Sequence, residues 1–330
     1  MERLLFARTL QFVHENPATQ RFGAASQLAA LRAFTNLDHF ISAAGSDLEG
    51  FGHASAGIRS AQETLKSVGR SVFEDAAVRS IDLHTEHDIN MAGIGDSNYP
   101  AILASAHDAP PVLYWKGSLS GIDLASAAVV GTREPTELGI KVAERVTAFL
   151  AQSGVSIVSG LALGIDTVAH REALAQHGHT VAVLAQGLDQ ISPASNRYLA
   201  HEIVESGGAL ISENPMNAIV DKYEFAKRDR IQSGLSRIVV PIQTGLKGGT
   251  QNTIRFAQAQ NRALWAPNVR DEIGHEKWAG IRELIAQKIA TPFTVDDYAQ
   301  LVSATRGDGI EPNEPPEPSS QRLTIWDAEA

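Results

Sequence analysis

Short apolar runs alternate with helical patterns from about residue 127 to residue 265, and this alternation constrains the fold most strongly. The runs are short enough for strands buried on both faces, and the segments between them repeat their apolar residues at three and four positions. A parallel sheet with helices on both faces accommodates both patterns. We therefore expect a Rossmann-like, doubly wound, mostly parallel α/β sheet, with strands near residues 127–130, 156–158, 180–184, 209–211, 237–240 and 263–265.

The chain divides into four parts by its pattern. Residues 1–80 are Ala-rich and helical, which predicts a small all-helical domain of the SAM-like or helix-hairpin-helix-like kind. Such short helices can bind DNA through their glycine turns, although they more often only pack together. Residues 81–120 read as a proline-containing connector, residues 121–300 as the Rossmann-like domain, and residues 301–330 as a disordered, acidic, Pro-rich tail. Ile325 and Trp326 in the tail are either a docking element or a stray apolar pair.

Composition excludes several functional classes. The chain has 28 Lys and Arg against 38 Asp and Glu, a net charge of −10, so any site for a polyanion must be local. It has no Cys, which excludes disulfides, thiolate catalysis and cysteine zinc sites. No stretch approaches the ~18 apolar residues of a membrane span, and we expect a soluble, cytoplasmic protein.

Three glycine turns follow predicted strands and precede helical patterns. At such turns the backbone N–H groups of a helix start can face an anion without a side chain in the way. In an open parallel sheet the turns lie beyond the carboxyl ends of the strands, where ligands bind. An ordinary turn with an exposed Arg is an equally good interpretation of the first turn taken alone. The turns supply the candidate phosphate-binding residues Gly131, Thr132, Arg133, Ser159, Gly160, Gly248, Gly249 and Thr250.

A basic and aromatic segment precedes the third turn. It contains Phe225, Lys227, Arg228 and Arg230. This combination suits single-stranded nucleic acid, because cations contact the backbone and rings stack on the bases. A solvated helix face is the alternative. The dinucleotide pattern G-x-G-x-x-G is absent after the first strand and the Walker pattern is absent throughout, which disfavours a redox enzyme or a P-loop ATPase.

Asp166 and His170 lie four residues apart, so they share one face of a predicted helix. Such a pair could orient a general base or bind a metal. However, the chain has no Cys, no Ser in a nucleophile motif and no evident third ligand. We therefore expect a structural role for both residues, and we expect no catalytic residue, metal or cofactor.

The glycine turns and the basic segment together resemble the DNA-processing protein A family, also called Smf. The resemblance covers roughly residues 95–268. Residues 99–100 and 111–114 look like the family's entry to its Rossmann-like domain. The specific motifs are residues 131–133, 159–170, 186–189 with Pro193 and Asn196, 212–215 and 225–236.

The resemblance implies a non-catalytic homodimer that binds single-stranded DNA. It also implies that the protein protects incoming DNA and helps to load the RecA recombinase during natural transformation or recombination. The residues that would contact the strand by motif match are Arg133, Phe225, Lys227, Arg228, Arg230, Gly248, Gly249 and Thr250, while Asp166, His170 and Glu213 would shape the pocket.

The sequence departs from the family's pattern at two places, and two alternative functions stay open. Asp229 places a carboxylate where the family typically has a neutral amide, which would weaken phosphate binding. The family's Gly, Ser-rich turn is replaced by the Gly248, Gly249, Thr250 turn, which keeps the amides and one hydroxyl. A nucleoside-monophosphate phosphoribohydrolase would have a similar phosphate loop, but the carboxylate that it needs one helical turn later is missing at residues 253–255. A nucleotide-sensing module using the same pocket is the other alternative.

Overall fold

A bundle of N-terminal helices and a helix-covered sheet make up the structure, a computed structural model that describes residues 1–269 and 274–306. The expected tail, with Ile325 and Trp326, lies almost entirely outside the described residues. Within the described ranges the helices are α1 (Glu2–Glu15), α2 (Ala24–Ala33), α3 (Leu37–Ser42), α4 (Ala54–Val68), α5 (Arg70–Glu86), α6 (Ala101–Ala104), α7 (Glu137–Gln152), α8 (Ile165–Ala175), α9 (Arg197–Glu205), α10 (Lys222–Gly234), α11 (Thr250–Ala259), α12 (Ala279–Ala286) and α13 (Tyr298–Arg306). The strands there are β1 (Asn90–Gly93), β2 (Val112–Gly117), β3 (Ser126–Val130), β4 (Ser156–Ser159), β5 (Thr180–Val183), β6 (Ala209–Ser212), β7 (Ile238–Pro241), β8 (Ala263–Pro267) and β9 (Thr291–Phe293).

The strands form one mostly parallel sheet in the order β1-β2-β6-β5-β4-β3-β7-β8-β9. The pairs β1–β2 and β2–β6 are antiparallel, and every later pair is parallel. All six strands expected from the sequence are present within a residue or two of their predicted bounds. The predicted doubly wound architecture is therefore confirmed.

Alternate residues of the central strand β3 pack against different helical layers. Ala127 and Val129 belong to a core with α7, α8 and α13, whereas Ala128 and Val130 belong to a core that includes residues of α9, α10, α11 and α12. Successive side chains of a strand point to opposite faces, so an all-apolar strand must be covered on both sides. This is why the buried strands appear in the sequence as continuous apolar runs.

The N-terminal helices share the second of these cores with the sheet. Phe40 lies at their centre, with its ring centroid 5.9 Å from that of Phe6, 6.2 Å from that of Phe22 and 5.5 Å from that of Phe34. Helix α1 also packs closely on β1, since a Cβ added at Gly93 would lie 2.7 Å from the Cβ of Ala7. The expected helical region is thus present, and it has no separate apolar core.

Residues 81–120 differ from the expected connector. They contain the end of α5 and the strands β1 and β2, which extend the sheet. In β2 the run from Val112 to Trp115 is fully apolar and buried, as in the central strands. Prolines on its amino-terminal side made this segment look like an extended linker, but Pro110 and Pro111 precede the strand and interrupt no ladder hydrogen bond.

The order in which the chain adds strands to the sheet reverses between β3 and β7, although these two neighbouring strands are parallel. From β3 it proceeds outward through β4, β5 and β6, and it then returns to β7 on the other side of β3. The loops after β3 and β7 therefore leave neighbouring strand ends and diverge, which opens a crevice at the carboxyl edge. The backbones approach closely there: a Cβ at Gly164 would lie 2.3 Å from the carbonyl oxygen of Thr132.

We expect Gly164→Ala to destabilise the fold strongly. Gly164 has φ of 78°, and the added methyl group would also strike the Thr132 carbonyl. The left-handed conformation and the clash together should lower the free energy of unfolding by about 3 kcal/mol. Gly121→Ala is the matched control, because Gly121 has φ of 83° with open space around its Cα. Equal losses for the two variants in denaturant titrations would show that the close approach at Gly164 carries no cost.

Candidate functional site

Two adjoining cavities lie at the carboxyl edge of the sheet. Their volumes are about 510 Å³ and 460 Å³. Because they share lining residues, they form one continuous trough, which we call the groove. The shared residues are Arg133, Ala162, Lys222, Phe225 and Arg228.

The groove is assembled from strand-end loops and one helix. Its walls are the loops after β3, β4, β5 and β7 and the first turns of α10. Helix α10 begins at this place because the carboxylate of Asp221 caps it, accepting hydrogen bonds from the N–H groups of Tyr223 at 2.7 Å and Glu224 at 3.3 Å. The predicted residues that line the groove are Gly131, Thr132, Arg133, Gly160, Asp166, Phe225, Arg228, Gly248, Gly249 and Thr250.

Three exposed cations surround the groove. Arg133, Lys222 and Lys247 make no ion pair or side-chain hydrogen bond with any described residue, and the Nζ atom of Lys222 lies 5.1 Å from the ring centroid of Tyr223. Phe225 is half-buried and lines both cavities. The groove therefore combines free positive charge with an accessible aromatic ring.

Arg228 forms the floor of the groove. Its guanidinium donates from Nη1 to the carbonyl oxygens of Gly160, at 2.7 Å, and Val183, and from Nε to the Oδ1 atom of Asp229, at 3.2 Å. A Cβ at position 160 would lie 2.6 Å from Nη1, so a larger residue there would displace the guanidinium. Arg228 is thus anchored to the ends of β4 and β5 while it lines both cavities.

Arg230 does not line the groove, contrary to our expectation. Its guanidinium is buried and binds the carboxylate of Glu213 with two hydrogen bonds of 2.7 Å, and its Nε donates to the carbonyl oxygen of Asp108 at 3.0 Å. Although burial alone would raise the pKa of Glu213, the charge of Arg230 and its hydrogen bonds hold that pKa below its usual range. The physical reason for the difference is that the nearby Glu213 uses the donors that a phosphate would need.

Lys227 and Ser159 also lie outside the lining of the groove. The Nζ atom of Lys227 is 3.3 Å from the carboxylate of Glu224 and 3.6 Å from that of Glu213. The hydroxyl of Ser159 is buried and donates to the carbonyl oxygen of Val129 at 2.7 Å. Both side chains hold neighbouring elements together in this structure.

Asp166 and His170 have different surroundings although they share a face of α8. The Asp166 carboxylate accepts the N–H of Gly160 at 3.1 Å, which closes the loop after β4, and burial raises its pKa. The Nδ1 atom of His170 lies 2.8 Å from the hydroxyl of Thr180. Since that hydroxyl donates to the carbonyl oxygen of Ile157, His170 donates to it and ties α8 to β5. Burial lowers the pKa of His170 to about 3, so the ring is neutral.

Asp229 places a carboxylate in the wall of the groove. Burial raises its pKa to about 6, although the adjacent Arg228 opposes this shift, and the carboxylate of Asp166 adds to it. The side chain of Asn252, in the first turn of α11, also acts to lower the pKa of Asp229. That turn carries no acidic residue, and both Asn252 and Thr250 line the groove.

Two groove cations, Lys222 and Lys247, were not among the predicted site residues. Lys222 lies three residues before Phe225, so helical spacing places both side chains on the same face of α10. Lys247 immediately precedes the Gly248 and Gly249 turn. Both could have been included from the sequence, because Lys222 lies one helical turn before Phe225 and Lys247 lies one residue before the glycine turn.

The fold and the groove define a doubly wound α/β protein with a ligand site at its topological switch point. Residues 90–303 match the family described as DNA recombination-mediator protein A. The chain therefore belongs to this family, and the resemblance inferred from its motifs is confirmed. Within the described residues, no helix combines the length and apolar character needed to cross a membrane.

Proteins of known sequence and structure agree with this assignment. The chain is 39% identical over 196 residues to Protein Smf of Synechocystis, covering 58% of this chain and 49% of that one. It is 40% identical over 168 residues to Protein Smf of Escherichia coli, covering 51% and 45% respectively. It thus spans about half the length of these curated relatives.

Two solved structures resemble this fold. The X-ray structure of DNA processing protein A (DprA) from Streptococcus pneumoniae has a TM-score of 0.67 and 28% sequence identity, covering 89% of this chain and 95% of that one. DNA processing protein A from Helicobacter pylori, described for its single-stranded DNA binding mode, has a TM-score of 0.59 and 28% identity, covering 66% and 97% respectively.

We expect Glu213→Gln to lower the free energy of unfolding at pH 7 by about 3 kcal/mol, because Arg230 would then be a buried charge without its partner. The folded-state pKa of Glu213 is lowered from its ordinary 4.5, so the stability from its ionisation is present above pH 4.5 and is lost as the pH falls through the lowered pKa. The difference between the variant and the natural protein should therefore narrow in acid.

Denaturant titrations from pH 7 down to a pH below the lowered pKa of Glu213 test this expectation. Glu224→Gln is the control, because its partly exposed pair with Lys227 should contribute less than about 1 kcal/mol. Similar losses for both variants, or a loss at Glu213 that does not change with pH, would contradict the role given to this ion pair.

Proposed function

We propose that the groove binds single-stranded DNA. The observation that supports this most strongly is that Arg133, Lys222 and Lys247, three exposed cations without an ion pair to any described residue, line the same groove as the half-buried ring of Phe225. Cations attract the phosphate backbone, and a ring offers a stacking surface for any base. With a net charge of −10, the chain favours binding at this local site over its general surface.

The shape of the groove favours a single strand over a duplex. Phe225 lies inside a trough formed by two cavities, so a base must leave its own stack to meet the ring. A single strand does this at little cost, whereas a duplex must break base pairs. The structure of DNA processing protein A from H. pylori, which is described for its single-stranded DNA binding mode, also supports this preference.

We assign different roles to the predicted residues. Arg133 and the Gly248, Gly249 and Thr250 turn contact phosphates, together with Lys222 and Lys247, while Arg228 meets the strand from the floor. Gly131, Thr132 and Gly160 shape the groove. Lys227, Arg230 and Ser159 act indirectly, because their side chains hold α10 and the strand ends in place.

The cellular role that we propose is protection of incoming single strands and delivery of those strands to a RecA-type recombinase. This role places the protein in the cytoplasm, as a homodimer. A recombinase ATPase assay on strands coated with single-strand-binding protein tests it, with stimulation as the expected result. Strand binding without stimulation would remove the loading role and leave the groove assignment intact.

We also propose that the groove performs no catalysis. His170 faces Thr180 and lies outside the groove lining, and Asp166 is occupied by backbone N–H groups of its own loop. Burial raises the pKa of Asp229 in the groove wall to about 6, so Asp229 is the candidate acid if the phosphoribohydrolase alternative holds. Release of a free base from a nucleoside monophosphate, lost in Asp229→Asn, would favour that alternative.

Arg133→Ala should weaken binding of a 20-nucleotide single strand roughly tenfold at moderate salt, since one charge-assisted contact is lost. The slope of log affinity against log salt concentration should become shallower by about 0.7, the value for one phosphate contact on a single strand. Fluorescence anisotropy across a salt series measures both quantities. Arg171→Ala, an exposed Arg on α8 away from the groove, should leave both unchanged. Equal effects of the two variants would contradict the groove assignment.

Phe225→Leu should weaken single-strand binding by about 1–3 kcal/mol with an unchanged salt slope, because it removes the stacking surface and keeps apolar volume. Phe225→Trp should retain binding, since it preserves an aromatic face. Affinities of the two variants, measured by anisotropy, show whether Phe225 contributes by stacking on a base or only by filling apolar volume. If Phe225→Leu bound as tightly as the natural protein, the ring would have no part in recognition.

A further inference from the structure

Asp229 is a carboxylate in the wall of the groove, one helical turn beyond Phe225 on α10. Residues four apart on a helix lie on the same face with their Cβ atoms about 6 Å apart. Both residues line the 460 Å³ cavity. A base that stacks on Phe225 therefore has Asp229 within reach of its edge.

The hydrogen bonds of Asp229 leave it with unused acceptor capacity. Its Oδ1 atom accepts from the Nε atom of Arg228 at 3.2 Å, and the nearby side chain of Asn252 also favours its ionised form. An ionised carboxylate has about four acceptor positions, so roughly two remain for a ligand. Phosphates carry no donors at neutral pH and repel a carboxylate. The ligand group that meets Asp229 must therefore be a base edge that donates hydrogen bonds.

The four bases differ sharply in what they offer to a carboxylate. Guanine presents two adjacent N–H donors, on N1 and N2, which match the two oxygens of one carboxylate. Cytosine and adenine present one amino group beside a ring nitrogen that is itself an acceptor. Thymine presents a single N–H between two carbonyl oxygens, which would repel the carboxylate.

We propose that Asp229 reads the base stacked on Phe225 and makes the groove selective for guanine over thymine. This inference rests on the proposed function, because it concerns a base of the bound strand. It also gives a use to the carboxylate that replaces the family's usual amide, which we expected only to weaken binding.

The groups around Asp229 give the selectivity a pH dependence. Burial and Asp166 on α8 oppose the ionised form, whereas Arg228 on the same helix and Asn252 on α11 support it. Arg255 on α11 donates a hydrogen bond to the Oδ1 atom of Asn252. These influences bring the pKa to about 6. Below that pH the protonated acid loses acceptor capacity, so the preference for guanine should decline between pH 7.5 and pH 5.

The test compares four 20-nucleotide strands by fluorescence anisotropy at pH 7.5. One contains only thymine, and the others alternate thymine with guanine, cytosine or adenine. The natural protein should bind the guanine strand roughly tenfold more tightly than the thymine strand, since a bidentate contact gives about 1–3 kcal/mol of discrimination. Asp229→Asn should reduce this ratio to near one while it raises affinity for the thymine strand.

Asp221→Asn is the matched control. Asp221 also lines the groove, and Asn caps a helix as well as Asp does, so this variant removes one negative charge without changing the group beside Phe225. It should raise affinity for all strands equally and keep the guanine preference. A thermal unfolding curve for each variant confirms that the fold is retained.

The possible outcomes separate the two proposals. If no strand binds, the proposed function fails. If all strands bind equally, or Asp229→Asn and Asp221→Asn change the guanine ratio alike, DNA binding stands and the guanine inference fails. Competition by guanosine 5′-monophosphate tests whether the ligand is a strand or a free nucleotide. If it displaces the strand at micromolar concentration, the groove recognises the free nucleotide, and the strand assignment is overturned.

Discussion

The bidentate ion pair between Arg230 and Glu213 fixes α10 to the end of β6, and the groove depends on this attachment. Two residues earlier, Arg228 fixes the same helix to the ends of β4 and β5 through backbone carbonyl oxygens. Both guanidinium groups are buried, so each must have its donors satisfied inside the protein. With its second half held in this way, α10 presents Lys222 and Phe225 at the open side of the sheet edge.

Helix α10 is therefore divided along its length. Residues 228–234 are buried, including five polar or charged side chains, whereas residues 222–227 are exposed or half-buried. The buried part sets the position of the helix and the exposed part is available to a ligand. The local cluster of free cations also explains how a chain with a net charge of −10 can present a site for a polyanion.

The sequence predicted the central sheet well because burial on both faces leaves an unmistakable apolar run, as in β3 and β7. It missed β1, whose four residues are too short and mixed to stand out, β2, which follows two prolines, and β9, which contains Pro292. In the site, glycine turns predicted the groove-lining backbone of residues 131–133 and 248–250. The sequence could not predict that Arg228 lines the groove whereas Arg230 does not, because both belong to the same basic segment. Only the folded chain brings Glu213 next to Arg230.

Photo-crosslinking of a bound single strand containing 5-iodouracil most directly tests whether a strand lies in the groove. Trypsin cleaves after Lys222 and Lys227, so Phe225 falls within the short peptide of residues 223–227. The account predicts that this peptide carries the main crosslink and that an excess of unlabelled single strand removes it, while duplex does not. Efficient crosslinking confined to the N-terminal helices, with none in residues 223–227, would contradict it.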